Sequence, residues 1–262
     1  MSKQPVLIMR GISKRFGGVR ALQDVDFELH AGEVVGLVGD NGAGKSTLLK
    51  ILAGVYQPTE GEVFIEGEQV GIQNPKHARR LGIGIVYQEL SLVDSFDIPS
   101  NIFLGREITR WGMLARRRMR EEARVVLDSL SIESMPLRKR VHDLSGGQRQ
   151  AIELSKVVHT NPRILLADEP TAALAVKETR RILDLLIRFK ERGIGVVLVS
   201  HSMPDVFAVS DRVVVLRRGK KVGDVAIDTV TVDDVVKLIV GAEERSSEQV
   251  KQSITYPNRE GS

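Results

Sequence analysis

Two stretches of the chain hold residue types whose spacing suits chemistry on phosphate. In Gly39-Asp40-Asn41-Gly42-Ala43-Gly44-Lys45-Ser46, followed by Thr47, the glycines let the backbone wrap tightly and turn its N–H groups inward. The spacing is GxxxxGK[ST], in which Lys45 neutralises the outer phosphates of a nucleotide and the Ser46 hydroxyl binds magnesium. Farther along, the apolar run Ile164-Leu165-Leu166-Ala167 ends in Asp168 and Glu169, two adjacent carboxylates where burial makes charge expensive. A phosphate loop needs a second magnesium anchor on a neighbouring strand, and Asp168 supplies it, its charge compensated by the metal. Glu169, one residue on, points elsewhere and can act as general base toward a water near the terminal phosphate.

The surrounding pattern says which elements position these residues. An apolar strand, EVVGLVG at 33–39, runs into the glycine loop, and a helical stretch, KSTLLKILAGV, follows it. Strands are also expected at Val6 to Met9, in the alternating DVDFELH at 24–30, in GEVFIEG at 61–67 and in IGIVY at 83–87. A polar helix is expected near 75–81. From about 89 to 160 helical spacing takes over, with Met119, Ala123, Leu127 and Leu130 on one face, which predicts an inserted helical lobe. Strands return as RILLAD, GVVLVS and RVVVLRR around a helix over 178–191 whose apolar face is Ile182, Leu183, Leu186 and Phe189. Apolar strands alternating with helices predict an α/β fold with a mostly parallel sheet, beside antiparallel strands from the opening third. The last stretch, 243–262, lacks periodicity and reads as a loose tail.

Composition narrows the partners. The 262 residues are 42% hydrophobic and 27% charged, with a net charge of +4, the balance of an ordinary globular chain. Basic groups such as Arg116, Arg117, Arg118 and Arg138, Lys139, Arg140 have no aromatics among them, so they read as solvated faces and no nucleic acid is expected. There is no cysteine, which excludes disulfides and thiolate metal sites. The start does not read as a signal peptide, and no run approaches the roughly 18 apolar residues of a membrane span. Any attachment to a membrane is then expected to run through a partner.

Between the two phosphate motifs lies Leu144-Ser145-Gly146-Gly147-Gln148, opening a helical run. It resembles the signature of ATP-binding cassette (ABC) proteins, and other elements of that family follow in order over residues 4 to about 240. Gln88 resembles the glutamine that joins the core to the helical lobe and reaches the metal and the water. His201, ending GVVLVSH, resembles the switch histidine, and Phe16 resembles the aromatic residue that stacks on adenine, where tyrosine is more usual.

The resemblance implies a phosphate-loop NTPase core over about 4–88 and 162–242, a helical lobe over about 89–161, and ATP with Mg²⁺ as cofactors. Glu169, His201 and Gln88 are then catalytic, and Ser46, Gln88 and Asp168 hold the metal. Ser145 with the N–H groups of Gly146 and Gly147 can grip a phosphate at a helix N-terminus. In this family the signature acts in trans, so the chain is expected to pair head to tail with a second copy around two ATP molecules.

Within the family, VYQELSLVDSFDIPSNIFLGRE and the following Trp111-Gly112-Met113-Leu114 look most like the ATPases of monosaccharide importers. That implies transmembrane permease subunits, a periplasmic or lipid-anchored sugar-binding protein, and a peripheral place on the cytoplasmic face of the inner membrane. Many ATPases of this kind carry two cassettes, whereas this chain holds one set of motifs, as fructose-type members do. DNA-repair, chromosome and translation-factor ATPases share the cassette but need a long coiled coil or a second cassette, and a nucleotide kinase would lack the signature. An importer of a non-sugar solute is a further alternative. One departure stands out: Ala175 occupies the place of the family's D-loop aspartate and offers no side-chain acceptor.

Overall fold

The computed structural model describes residues 4–241 apart from 131, 133 and 134. It opens on a hairpin of β1 (Pro5–Phe16) and β2 (Val19–His30), turned at Gly17 and Gly18. Alternation buries Val25, Phe27 and Leu29 of β2 and leaves Asp26 and Glu28 exposed. β3 (Val34–Val38) then leads through the glycine loop into α1 (Lys45–Leu52). β4 (Glu60–Ile65) and β5 (Glu68–Gln69) complete an antiparallel sheet in the order β2-β1-β4-β5. After α2 (Pro75–Arg80) comes β6 (Ile83–Val86).

The middle of the chain is mainly helical: α3 (Ile98–Ile102), a small hairpin of β7 (Thr109–Arg110) and β8 (Met113–Leu114), α4 (Arg116–Ser129) and α5 (Gly146–Val158). The chain returns through β9 (Ile164–Asp168), α6 (Val176–Glu191), β10 (Gly195–Val199), α7 (Met203–Val209), β11 (Arg212–Arg217), β12 (Lys220–Ala226) and α8 (Val232–Val240).

The second sheet runs β12-β11-β3-β10-β9-β6, parallel except for the antiparallel edge strand β12. All five residues of β3 and all five of β10 are buried, as strands covered on both faces require. Each buried Val or Leu there contributes about 1.5–3 kcal/mol relative to exposure, which holds the strand ends in fixed relation.

The α3–α5 region has its own apolar cluster, including Ile98, Phe103, Met119, Leu127 and Leu144. The buried Asn101 side chain accepts from the Val93 N–H at 2.7 Å and donates to the Val93 carbonyl at 3.0 Å, fixing the loop that leads in from β6.

The structure differs from the sequence expectations in four places. The α4 face splits: Met119, Ala123 and Leu127 join the helical cluster, while Leu130, just past the helix, packs with α6 and β10 residues. The expected helical run contains the β7–β8 hairpin, tipped by Trp111 and Gly112 at positive φ. The helix expected from 178 begins at Val176. Beyond β10, α7 and α8 add helices that the strand-rich reading omitted. The expected tail, 243–262, lies outside the described residues.

Candidate functional site

The parallel strands deliver their chemistry at one edge. Val199 of β10 pairs with both Leu37 of β3 and Asp168 of β9, and Val86 of β6 pairs with Ala167. The chain continuing past these ends carries Gly39, Glu169, His201 and Gln88, so four sequence segments meet beyond the carboxyl ends of the sheet, where α/β folds bind ligands.

The glycine loop is held by backbone geometry that side chains would spoil. Gly39 has φ 146°, and a Cβ there would lie 2.1 Å from the Leu216 carbonyl oxygen. Gly44, at φ 109°, is the residue preceding α1, and no side chain caps that helix and no acid stands in its first turn. The free N–H groups and the helix dipole therefore face an approaching anion without a competing carboxylate from the helix itself.

Lys45 is buried, and its Nζ donates to the Gly39 carbonyl at 2.6 Å and the Asp40 carbonyl at 3.0 Å. Burial lowers its pKa, against the opposing pull of Glu169, Asp40 and Asp168. Ser46 is exposed, Ala43 is buried, and Asn41 and Gly42 are exposed along the loop.

Asp168 closes β9 half-buried. Burial pushes its carboxyl above the usual range, opposed by the positive charges of Lys50 and Lys45 and by His201. Glu169 follows in a left-handed conformation at φ 51°, uncommon and strained for a residue with a side chain, and its N–H donates to the Val199 carbonyl at 2.9 Å. Burial raises its pKa too, partly offset by His201. The His201 N–H donates to Glu169 Oε2 at 3.4 Å, and its Nε2 stands 3.3 Å from Oε1. Oε1 nevertheless has no aligned hydrogen-bond partner, so this second contact is electrostatic only.

Two carboxylates kept above their usual pKa, a buried lysine, an exposed hydroxyl and an uncapped helix start fit a magnesium-bound phosphate chain. Among the described residues no cluster of three acids, histidines or cysteines could cage a metal alone. A magnesium ion here would complete its shell from phosphate and water oxygens, as it commonly does.

Phe16 ends β1 partly exposed and meets Tyr56 edge to face, with ring centroids 5.0 Å apart. Lys14 Nζ lies 5.2 Å from the Phe16 centroid, and Lys50 Nζ lies 5.8 Å from that of Tyr56. Tyr56 and Lys50 are additions to the site: only the fold brings them beside Phe16 and Asp168. Gln88 is exposed, two residues past β6.

The signature residues gather elsewhere. Leu144 is buried in the helical cluster, and Ser145 caps α5 in a reciprocal box with Gln148. A Cβ on Gly146 would lie 3.2 Å from the Leu174 side chain. These contacts run to the segment after Glu169 and not to the glycine loop. That segment is anchored by Thr171, whose hydroxyl donates to Asp205 Oδ2 at 2.7 Å, and it contains Ala173 at φ 59°. Ala175 is the residue preceding α6 and supplies no side-chain cap.

A strand, a glycine loop and a helix beside paired carboxylates, with an interrupting helical region that presents a second helix start capped by Ser145, make up a nucleotide-binding cassette of the phosphate-loop class. The chain belongs to the ABC transporter family, which matches residues 22–172.

It is 47% identical over 238 residues to the ribose import ATP-binding protein RbsA 1 of Rubrobacter xylanophilus, covering 91% of this chain and 47% of that one. It is 39% identical to the fructose import ATP-binding protein FrcA of Rhizobium meliloti, covering 95% of this chain and 99% of that one. It is 42% identical to the xylose/arabinose import ATP-binding protein XylG of Sulfolobus acidocaldarius, covering 89% and 93%. The chain thus spans about half the length of the ribose-type relatives and nearly all of the other two.

Among solved structures, the ADP conformation of MJ1267, an ATP-binding cassette of an ABC transporter, matches with TM-score 0.80 at 25% identity, covering 91% of this chain and 100% of that one. The dimeric post-hydrolysis state of the cassette MJ0796 bound to ADP and Pi matches at 0.71 and 27% identity, covering 84% and 98%. The α/β phosphate-loop fold with parallel and antiparallel sheets is therefore that of the family. Among the described residues no helix is long and apolar enough to cross a membrane.

Proposed function

We propose that the chain is the ATP-hydrolysing subunit of an importer for a monosaccharide. The convergence of the glycine loop, Asp168, Glu169 and His201 at one sheet edge carries this reading. The 39% identity to a fructose import subunit across nearly the full length of both chains supports the sugar.

In this reading residues 4–242 form one ATPase unit with a helical lobe over 89–161. Phe16, beside Tyr56, takes the adenine on its exposed face. The N–H groups of Gly39 to Thr47 and the Lys45 ammonium take the phosphates. Ser46, Asp168 and Gln88 hold Mg²⁺, which when bound neutralises phosphate charge. Glu169, its carboxyl raised by burial, accepts the proton of the water that attacks the terminal phosphorus; the bond to the bridging oxygen breaks, leaving ADP and phosphate. His201, in contact with Glu169, holds that carboxylate in place.

Leu144 to Gln148 belong to the opposite site of an ATP-dependent head-to-tail dimer. The permease contacts a groove of about 240 Å³ between β6 and α5, lined by Arg79, Tyr87, Arg106 and Lys156 among others. The assembly sits on the cytoplasmic face of the inner membrane, peripheral, and takes sugar from a binding protein outside.

The test is uptake of labelled fructose, ribose, xylose and arabinose by cells of the source organism with and without this chain. Loss of uptake of one of these on deletion, restored by the intact gene and not by Lys45→Ala, is expected. Unaltered uptake of all four, together with co-purification on ribosomes or DNA, overturns it.

The absence of a D-loop acceptor has its own consequence. Ala175→Asp is expected to leave the melting temperature little changed, because the new cap stands beside the Glu178 carboxylate, and to raise the Hill coefficient of ATP turnover. A thermal melt and an ATP titration read both, and an unchanged coefficient removes the coupling role assigned to this position.

A further inference from the structure

The signature is not bare in the single chain. Glu178, in the first turn of α6, reaches across to α5, and the Ser145 hydroxyl and Gly147 N–H that face its carboxylate hold its pKa below the usual range. It lies flat on Gly147: a Cβ there would fall 2.7, 2.8 and 2.9 Å from the Cβ, Cγ and Cδ of Glu178. The glycine at this position makes room for the carboxylate. The same carboxylate also feels the N–H of Ala175, the residue preceding α6, which has no capping side chain of its own. One anion therefore closes two helix starts, that of the signature helix and that of the helix issuing from the D-loop.

The donors that face Glu178 are the ones the proposed dimer offers to the partner's ATP. A hydroxyl hydrogen and a backbone N–H each serve one strong acceptor, and two anions side by side at a helix start repel. The terminal phosphate and the Glu178 carboxylate cannot hold Ser145 and Gly147 together.

We infer that Glu178 is an internal counter-anion of the signature, a positioning residue that keeps the phosphate donors ordered in the lone chain and must swing aside when the partner's ATP docks. Its displacement leaves the carboxylate to α6 alone, through the Ala175 N–H. The state of the signature is thereby passed to the segment Thr171 to Ala175, which runs directly from Glu169. In a chain whose position 175 is alanine, this is a route by which occupancy of one site reaches the base of the other. The inference rests on the sandwich dimer proposed above.

The opposing account is that Glu178 only braces the two helices, and the two accounts differ in sign. A brace, once weakened, disorders the signature and makes the dimer harder to form. A counter-anion, once neutralised, makes it easier. Glu178→Gln keeps shape and an acceptor oxygen while removing the charge.

The comparison is Glu169→Gln alone against Glu169→Gln with Glu178→Gln, titrated with Mg·ATP and followed by sedimentation. The ATP midpoint for dimer formation is expected to fall about tenfold in the double variant, in line with a charge-assisted hydrogen bond no longer competing. Binding of a fluorescent ATP analogue to the monomer stays unchanged. Glu178→Asp, which keeps the charge on a shorter arm, is expected to fall between the two.

An unchanged or higher midpoint with an intact monomer overturns the inference and leaves the sandwich standing. Failure of Glu169→Gln itself to dimerise at saturating ATP overturns the sandwich, and the inference with it.

Discussion

Glu169→Gln is expected to lower ATP turnover by roughly 10²–10⁴-fold, the usual worth of a general base, while ATP is still bound and the dimer accumulates. The amide occupies the space of the carboxylate and leaves Lys45 to the phosphates and Asp168 to the magnesium, so binding and chemistry separate. The same substitution is expected to raise the melting temperature of the protein without nucleotide. Burial is the largest influence on Glu169 and raises its pKa, so the folded state binds that proton more tightly than the unfolded chain does.

Between the ordinary carboxylate value and the raised one, the folded state holds more protons, and stability falls as pH rises through that window. Above that window the full cost is present, and glutamine removes it. The positive φ at Glu169 is untouched by the change, so the gain reports charge alone. A turnover assay, sedimentation with ATP and calorimetry at neutral pH and near pH 5 check the three parts. Normal turnover would falsify the role of base, and a lower melting temperature would show that His201 outweighs burial.

The parts of this site that were legible in the sequence are those whose chemistry is written in adjacent residues. The glycine loop needs a fixed run of residue types because its geometry is local, and Asp168 and Glu169 stand out because charge at the end of an apolar strand needs a reason. Ser145 stands at a helix start as the sequence indicates, and the structure adds its reciprocal cap with Gln148.

What stayed hidden depends on contacts between distant segments. Tyr56 meets Phe16, and Glu178 meets Gly147, only after the sheets and helices pack. The long opening hairpin reads as fragments because its register shifts repeatedly, and Asp24, at φ 51°, interrupts the strand where DVDFELH begins. The β7–β8 hairpin is obscured by its two-residue strands and by a turn that puts Trp111 at φ 54°, a conformation its residue type does not advertise. Leu130 follows the spacing of the α4 face, but it lies at the helix end, where the apolar neighbours belong to α6 and β10.

Mixing two inactive variants is expected to restore activity if each site is built from both chains. Lys45→Ala removes the ammonium of the phosphate loop. Ser145→Asp keeps an N-cap acceptor for α5, since aspartate caps as well as serine, but sets a charge against the terminal phosphate and against Glu178. Each variant alone spoils both sites of its own dimer. In a mixed dimer one site joins an intact loop to an intact signature, and the other collects both lesions.

Random pairing makes about half the dimers mixed, so roughly a quarter of the wild-type rate per chain is expected if the good site fires alone. Ala175 has no side chain to hold one site to the other across the dimer, so a rate below that quarter measures the coupling that runs through Glu178. The rate and the ATP-dependent mass of the mixture are read together. Mixed dimers that form without turnover would keep the shared site but show that both ATP molecules must be in place. Neither dimers nor turnover would mean that Ser145 does not act on the partner's phosphate.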